Sequence, residues 1–511
     1  MTTTTAPQST SDKLDSGVLK VAGVVVLGAI MSILDITVVS IGLPTFQKEF
    51  HANYATVAWT MTAYTLALAT VIPVTGWAAD RFGTKRLYLM SLVLFVGGSA
   101  LCSFAWDIGP LIAFRTIQGL GGGMLMPLGM TIMTRAAGPE RVGRVMAVLG
   151  VPMLLGPIGG PILGGWLIQS ASWHWIFLIN LPIGVIAFLA SLRILPKDSP
   201  TPSESFDFRG MLLLSPGLAL FLYGVSSIPG EGTIAAAKVL IPAFIGLALV
   251  IGFVVHALGK DHALIDLSLF RNRNLTVATV TMTLFVVAFM GSMLLFPSYF
   301  LQVRGEGTLS AGLLLAPQGI GAMLTMPVSG KLTDKIGPGK LVLTGIVVIL
   351  AAVGVFTQVT DTSSYVLLLG ALFVMGLGMG MTMMPIMSAA LASLQHHQIA
   401  RGSTMMNIIQ QTAGSIGTAT MSVILTNQIQ SSRAATDFYQ VITGSLDPSK
   451  VTAGAMAAGR SALAGAFGNT YAVAFVLIVL CLIPAFFLPR SKSAQVTDDA
   501  DEQQPQVMAM H

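Results

Sequence analysis

Charge is scarce in this chain. Only 10% of its 511 residues are charged and 54% are hydrophobic, with a mean hydropathy of +0.78. Soluble domains carry about 25% charged residues, so a water-facing surface is excluded. Cysteine is nearly absent: Cys102 and Cys481 both fall in apolar stretches. That excludes a disulfide framework and a thiolate metal site and leaves two core thiols. No glycine loop of the GKS or GKT type is present, which removes direct drive by ATP. The one histidine cluster, "QHHQ" at Gln395–Gln398, lacks metal-site spacing to a third ligand. No nucleophile with a base is legible either. No catalytic residue, metal or cofactor is therefore expected, and an enzyme is not. A sensor would need a soluble output domain, and the 22 residues after Pro489 are too few. The net charge of +5 is explained better by membrane orientation than by a nucleic-acid partner. The first 17 residues are polar and Thr-rich, and the apolar run behind them is too long for the core of a cleaved leader.

What the chain has instead is apolar runs. Stretches of about 20 apolar residues, the length a helix needs to cross a bilayer, recur along it. A membrane barrel would show short alternating segments. Fourteen helical spans are expected, near 18–44, 55–76, 86–106, 110–134, 143–170, 175–195, 210–228, 236–258, 274–302, 308–330, 340–360, 364–390, 402–430 and 468–489. Of the 27 Lys and Arg, 20 then fall on the side of the two termini and six on the other, and Arg115 lies inside the fourth span. The positive-inside rule places both termini in the cytoplasm. The setting is a cell membrane, with membrane lipids as neighbours.

Two internal matches pair the halves of the chain. "GWAADRFGTKRLYL" (Gly76–Leu89) resembles "GKLTDKIGPGKLVL" (Gly330–Leu343), and "QGLGGGMLM" (Gln118–Met126) resembles "MGLGMGMTM" (Met375–Met383), at offsets of 254 and 257. A parallel repeat of two six-helix bundles follows, with a site at their interface. The organisation is a tail at 1–17, an N-terminal bundle at 18–195, a linker with two additional helices at 196–273, a C-terminal bundle at 274–489 and a tail at 490–511. The tail's "QVTDDADEQQPQ" reads as disordered. The connection 431–467 is small-residue rich and reads as an amphipathic helix at the interface, a candidate place for an envelope accessory protein.

Asp35, in "ILDITVVSIGLP" (Ile33–Pro44), is the one acid deep in a span, and Arg115 the one base. Centring a cation costs at least about 2.5–3.5 kcal/mol. Arg115 either snorkels or is paired, and Gln118, one turn on, can share its hydrogen bonding. A carboxyl in oil favours its neutral form, and a nearby guanidinium favours the charged one. Held between the two, Asp35 can load and release a proton; the bland alternative is a neutral structural aspartate. Tyr64, Asn180, Tyr299, Gln318, Asn407, Gln410 and Gln411 are polar groups in or near spans, fit to line a cavity or to bond between helices. Methionine clusters at Met375–Met387 and at Met124, Met126, Met130 and Met133 suit an adaptable apolar site or a core. In the loop motif, Gly76 and Gly83 permit a tight connection. Asp80, among Arg81, Lys85 and Arg86, either is solvated or pairs with a cation or a helix N-terminus of the facing bundle. In the fifth span Gly156, Gly160 and Gly164 leave one face bare for a close neighbour, and Pro152, Pro157 and Pro161 add bends.

These residues resemble a family. "GWAADRFGTKR", "RTIQGLGGG" (Arg115–Gly123) and "GVPMLLGPIGGPILGG" (Gly150–Gly165) are similar to the loop, fourth-span and fifth-span antiporter motifs of the major facilitator superfamily. "LDITVVSIGLP" and "WHWIFLINLPIG" (Trp173–Gly184) resemble its 14-span drug:proton antiporters. Thr84 stands where the superfamily often has Arg or Lys, so a loop charge network would use Lys85 or Arg86. The resemblance implies a multidrug efflux antiporter driven by protons, working by alternating access and conferring antibiotic resistance. Its substrate is a small lipophilic compound, neutral or monocationic; the alternative is a lipid or an endogenous metabolite moved by the same fold. It favours a gating latch at Asp80, with Asp334 as a second and lesser copy. No second buried acid appears in the C-terminal half, which argues against divalent cations.

Overall fold

A computed structural model of the chain describes residues 15–490, apart from 53, 139–140, 199–205, 232, 261–262, 396–397, 443–445 and 448–450. The histidines of "QHHQ" and the polar C-terminal tail lie outside the described residues.

Helices make up the described chain: α1 (Ser16–Glu49), α2 (Tyr54–Phe82), α3 (Thr84–Ser103), α4 (Ile108–Ala137), α5 (Val142–Ser170), α6 (Trp175–Leu178), α7 (Asn180–Ile194), α8 (Phe208–Glu231), α9 (Ala237–Leu258), α10 (Arg273–Gln302), α11 (Thr308–Leu314), α12 (Ala316–Ile336), α13 (Pro338–Phe356), α14 (Tyr365–Gly380), α15 (Met383–Leu391), α16 (Ile399–Gln430), α17 (Arg433–Ile442) and α18 (Ala453–Ala485). Among the described residues, eleven helical segments are long and apolar enough to cross a membrane. α4, α5 and α16 have the length but are not among the eleven. α4 and α16 carry Arg115, Gln118, Asn407, Gln410 and Gln411, polar side chains that dilute an apolar span.

Glycine sets the packing, and the repeat is visible in it. On α4, Gly119 and Gly123 lie against the α2 backbone at Tyr64 and Leu68, while Gly121 lies against α3 at Ser91 and Phe95. On α14, Gly376 and Gly380 meet α12 at Gln318 and Ala322, while Gly378 meets α13 at Gly345 and Ile349. A methyl group at any of these positions collides with a neighbouring helix. The shared spacing therefore encodes the same three-helix contact twice. Gly83 and Gly337 occupy equivalent turns at φ +93° and +85°, a region that side chains disfavour.

α8 and α9 pack backbone to backbone through Gly217, Gly224 and Gly246. Glycine in this pair thus marks a tight helix contact. Asp207 fastens its base. Its carboxylate accepts from His256 Nε2 and Lys260 Nζ, both at 2.9 Å, and from the backbone N–H groups of Gly210 (3.0 Å) and Leu264 (3.1 Å). Burial pushes this carboxyl up, but the four hydrogen bonds outweigh burial and hold it down at about 2.

The small-residue segment after 452 is not a separate interfacial helix. It is the start of α18, whose 33 residues span about 50 Å at 1.5 Å per residue. The amphipathic piece is α17, which buries Ala435, Phe438 and Val441 and packs against α18.

Candidate functional site

Asp35 and Arg115 meet. Arg115 Nη1 lies 2.5 Å from Asp35 Oδ2 and 2.7 Å from Gln118 Oε1, and Nε donates to the Thr60 carbonyl at 3.0 Å. The guanidinium sits over the Tyr64 ring, 4.2 Å from its centroid. Asp35 Oδ1 accepts from Gln118 Nε2 (2.7 Å) and Asn180 Nδ2 (3.1 Å), and both amides also donate to Ser99 Oγ. Asp35 is 1% exposed and Arg115 0%. Arg115 therefore does not snorkel; α4 carries it inward to a partner on α1. Two charges in a low-dielectric interior are tolerable only when paired and surrounded by hydrogen bonds, and α1, α2, α3, α4 and α7 each supply a group. Ser99 and the Thr60 carbonyl escape sequence reading because serine and backbone carry no signal of burial.

A cavity of about 470 Å³ lies between the halves, walled by α1, α2, α4, α8, α10 and α16. Asn407, Gln410 and Gln411 line it from one side, Ser32, Ile33 and Ile36 from the other. No acid or base is among its described lining residues. Asn407 donates to the Ser403 carbonyl (2.9 Å) and to Met130 Sδ of α4 (3.3 Å). The expected cavity set divides here. Asp35, Tyr64, Gln118 and Asn180 are buried within the N-terminal half, behind the wall. Tyr299 donates to the Thr360 carbonyl at 2.6 Å, far from the cavity, and Gln318 is buried where α12 meets α14. Polar groups in spans are bonded by their own bundle first; spacing does not tell which remain for the interface. One link joins the two sites. Ser32 lines the cavity, and its Oγ lies 3.2 Å from the Tyr64 hydroxyl.

At the end carrying most of the Lys and Arg, two ion-pair clusters cross between the halves. Asp80 pairs with Arg135 (3.2 Å) and with Arg401 on α16 (3.9 Å). Arg135 also donates to Thr84 Oγ1 at 3.1 Å, so Arg135 fills the place the loop leaves without a cation. Lys85 and Arg86 do not take that role. Their backbone N–H groups bond Asp198, and Lys85 Nζ caps the Leu192 and Leu195 carbonyls. Arg81 is exposed on the last turn of α2. Asp334 makes the matching contact: Oδ1 accepts the Gly143 N–H at 3.0 Å and Oδ2 lies 3.4 Å from Arg144, both on the first turn of α5. Gly76 lies against Ala400, Arg401 and Thr404, and Gly330 against Gly143, Arg144 and Ala147. Arg144 and Arg401 are themselves 257 residues apart, the repeat offset, a signal that would have found them.

Gly156, Gly160 and Gly164 face α1, against Ile33, Thr37 and Val38. The bare face of α5 therefore meets the helix that bears Asp35, inside one half. The side chains of Pro152, Pro157 and Pro161 lie outside the described residues.

Two helical halves around a central cavity, crossed by ion pairs at one end, with a charge pair sealed inside one half, define a secondary membrane transporter. The model of the Major Facilitator Superfamily matches residues 25–418, and the chain belongs to that superfamily. It is 48% identical over 501 residues to the Multidrug resistance protein B homolog of Mycobacterium tuberculosis, covering 95% of this chain and 93% of that one. It is 32% identical over 396 residues to the Multidrug export protein EmrB of Haemophilus influenzae, covering 77% and 78%. The crystal structure of the human organic anion transporter MFSD10 (TETRAN) matches with a TM-score of 0.60 at 16% identity, over 91% of this chain and all of that one. That likeness concerns the fold.

Proposed function

We propose that this chain is a proton-coupled antiporter that exports small lipophilic compounds, neutral or monocationic, from the bacterial cytoplasm across the inner membrane, with both termini cytoplasmic. The observation that carries the reading is the sealed Asp35–Arg115 pair linked to the cavity through Tyr64 and Ser32. The names of the relatives support drug export.

Protonation of Asp35 removes the charge that holds Arg115. The guanidinium keeps the Gln118 and Thr60 oxygens as acceptors and the Tyr64 face below it. A shift of Arg115 therefore moves the Tyr64 ring, and with it the hydroxyl that meets Ser32 at the cavity wall. Loading of the cavity acts on the pair by the same route in reverse. In the basic-end-closed state, the Asp80 and Asp334 clusters hold the cytoplasmic side shut, and breaking both is the cost of opening inward. The uncharged cavity suits compounds whose charge, if any, is single and delocalised.

The test is export in proteoliposomes across pH 5.5–8.5 with ethidium as a cation and a neutral dye beside it. Asp35→Asn fixes the neutral state. It should abolish gradient-driven export while leaving binding of the neutral dye intact. Gradient-driven export by this variant at the unmutated rate ends the proton-carrier assignment.

A further inference from the structure

The helix pair α8–α9 has no counterpart in the repeat, so nothing in the two-fold logic says where it belongs. α8 lies in the seam between the halves, packed on α2 of one and on α16 of the other. Two aromatic contacts pin it along α2. Tyr223 stacks on Trp59 with centroids 5.6 Å apart, and Phe206, just before the helix, meets Trp77 at 4.4 Å. Toward α16 it presents Val225 and Ile228, which are buried in one apolar cluster with Val239 and Ala419. Asp207 locks its base to α9 and to Leu264. Both seams also close by direct helix contact, α2 on α16 with Gly76 against Ala400 and α5 on α12 with Gly143 against Gly330, and α8 lies along the first.

The consequence is at the cavity. Val225 and Ser226 of α8 line it, together with Ser32 and Ile36 of α1 and Ser415 and Thr418 of α16. Ser226 is exposed and Val225 nearly buried, as expected of a helix that turns one residue into an open space and rests the next on its neighbour.

We propose that α8 is a wall of the substrate site, with Val225 and Ser226 touching the transported compound, so that the inserted pair sets which lipophilic molecules fit and closes the α2–α16 seam to lipid. This rests on the reading of the cavity as the substrate site. The wall it supplies is small and uncharged. It therefore selects by shape, favouring broad apolar faces, and offers no counter-ion.

Cysteine labelling of the full-length transporter tests the placement and the contact separately. Native Cys102 and Cys481 are buried and give a low background. S226C and S415C are compared with F244C, on a residue of α9 that is 74% exposed on the outer surface. A charged, membrane-impermeant methanethiosulfonate should label S226C and S415C and leave F244C unmodified, because a thiol in lipid does not ionise. Tetraphenylphosphonium at ten times its dissociation constant should slow both cavity rates about tenfold, by occupancy alone. Ser226→Leu should change the ratio of tetraphenylphosphonium to ethidium export. S226C as unreactive as F244C overturns the proposal, because α8 then faces lipid. Labelling at 226 that tetraphenylphosphonium does not slow, while 415 is protected, overturns the substrate contact. Labelling at both positions with protection at neither refutes the cavity as substrate site, and the contact with it.

Discussion

Arg115→Leu examines the buried pair through stability rather than transport. It removes the guanidinium 2.5 Å from Asp35 and leaves a carboxyl group 1% exposed, with Gln118 and Asn180 as its donors. Breaking a buried pair costs about 3–5 kcal/mol when the remaining charge stays behind. The carboxyl group has one escape, which is to take up a proton. In water that step costs an aspartate about 4 kcal/mol at pH 7, three pH units at 1.36 kcal/mol each. The two costs are close at neutral pH, and the proton route falls by about 1.4 kcal/mol with each unit of acidification. Between pH 7.5 and 5.5 the variant should therefore regain about 2–3 kcal/mol relative to the unmutated protein. The sign follows from linkage: the folded variant binds a proton that its unfolded chain does not, so its stability falls as pH rises. The assay is thermal unfolding of purified protein in detergent at a fixed scan rate, since such unfolding is seldom reversible. The Arg115→Leu midpoint should climb as the pH falls, and the double variant with Asp35→Asn should lose that slope. The same pH slope in both variants refutes the reasoning, because it places the proton elsewhere.

Asp80→Asn and Asp334→Asn should both cut export at normal expression. Asp334, at 8% side-chain exposure against 19% for Asp80 and with a backbone N–H added, should be at least as damaging; a clearly milder defect would restore the lesser role that sequence comparison assigns it. Gly160→Leu puts a side chain onto Thr37 of α1, an overpacking worth about 1–3 kcal/mol. A proton leak, read with a pH dye inside liposomes, is expected, and unchanged coupling counts against the α1–α5 contact. Tyr64→Phe keeps the ring under Arg115 and removes the hydroxyl that meets Ser32. Gradient-driven export should fall about fivefold, the effect of one hydrogen bond of about 1 kcal/mol, with binding retained; export at the normal rate means that cavity and charge pair communicate by another path.

The helical architecture and the duplicated contacts were legible because both rest on patterns within the chain. Apolar length marks the helices, and Gly119, Gly121 and Gly123 stand at the spacing of Gly376, Gly378 and Gly380 because each triplet contacts two neighbours at once. Asp35 and Arg115 were legible for a different reason: charge in an apolar run is costly enough to need an explanation. What spacing does not carry is direction. Arg81, Lys85 and Arg86 all stand close to Asp80 along the chain, yet Arg135 and Arg401, which pair with it, come from α4 and α16. Tyr299 and Asn407 look alike as polar residues in apolar surroundings, and only packing shows that one ties down a loop while the other lines the cavity.

The separation of charge from cavity has its own logic. A carboxylate on the cavity wall would hold cationic substrates but exclude neutral ones, and its protonation would change with every ligand. Placed behind the wall, on the far side of Tyr64, Asp35 lies away from the cavity lining and faces one fixed partner, Arg115. The cavity is then free to be lined by methionine, small residues and amides, which accept many shapes. Such a design needs a mechanical link between the two, since an uncharged cavity cannot signal through charge. Gly122 shows how closely that link is fitted: it lines the cavity, and a methyl group there would strike the Tyr64 hydroxyl. The bare third glycine of "QGLGGG" thus leaves room for the Tyr64 hydroxyl, which joins the cavity wall to the buried charge pair, and the other glycines of the motif hold the helices that frame it.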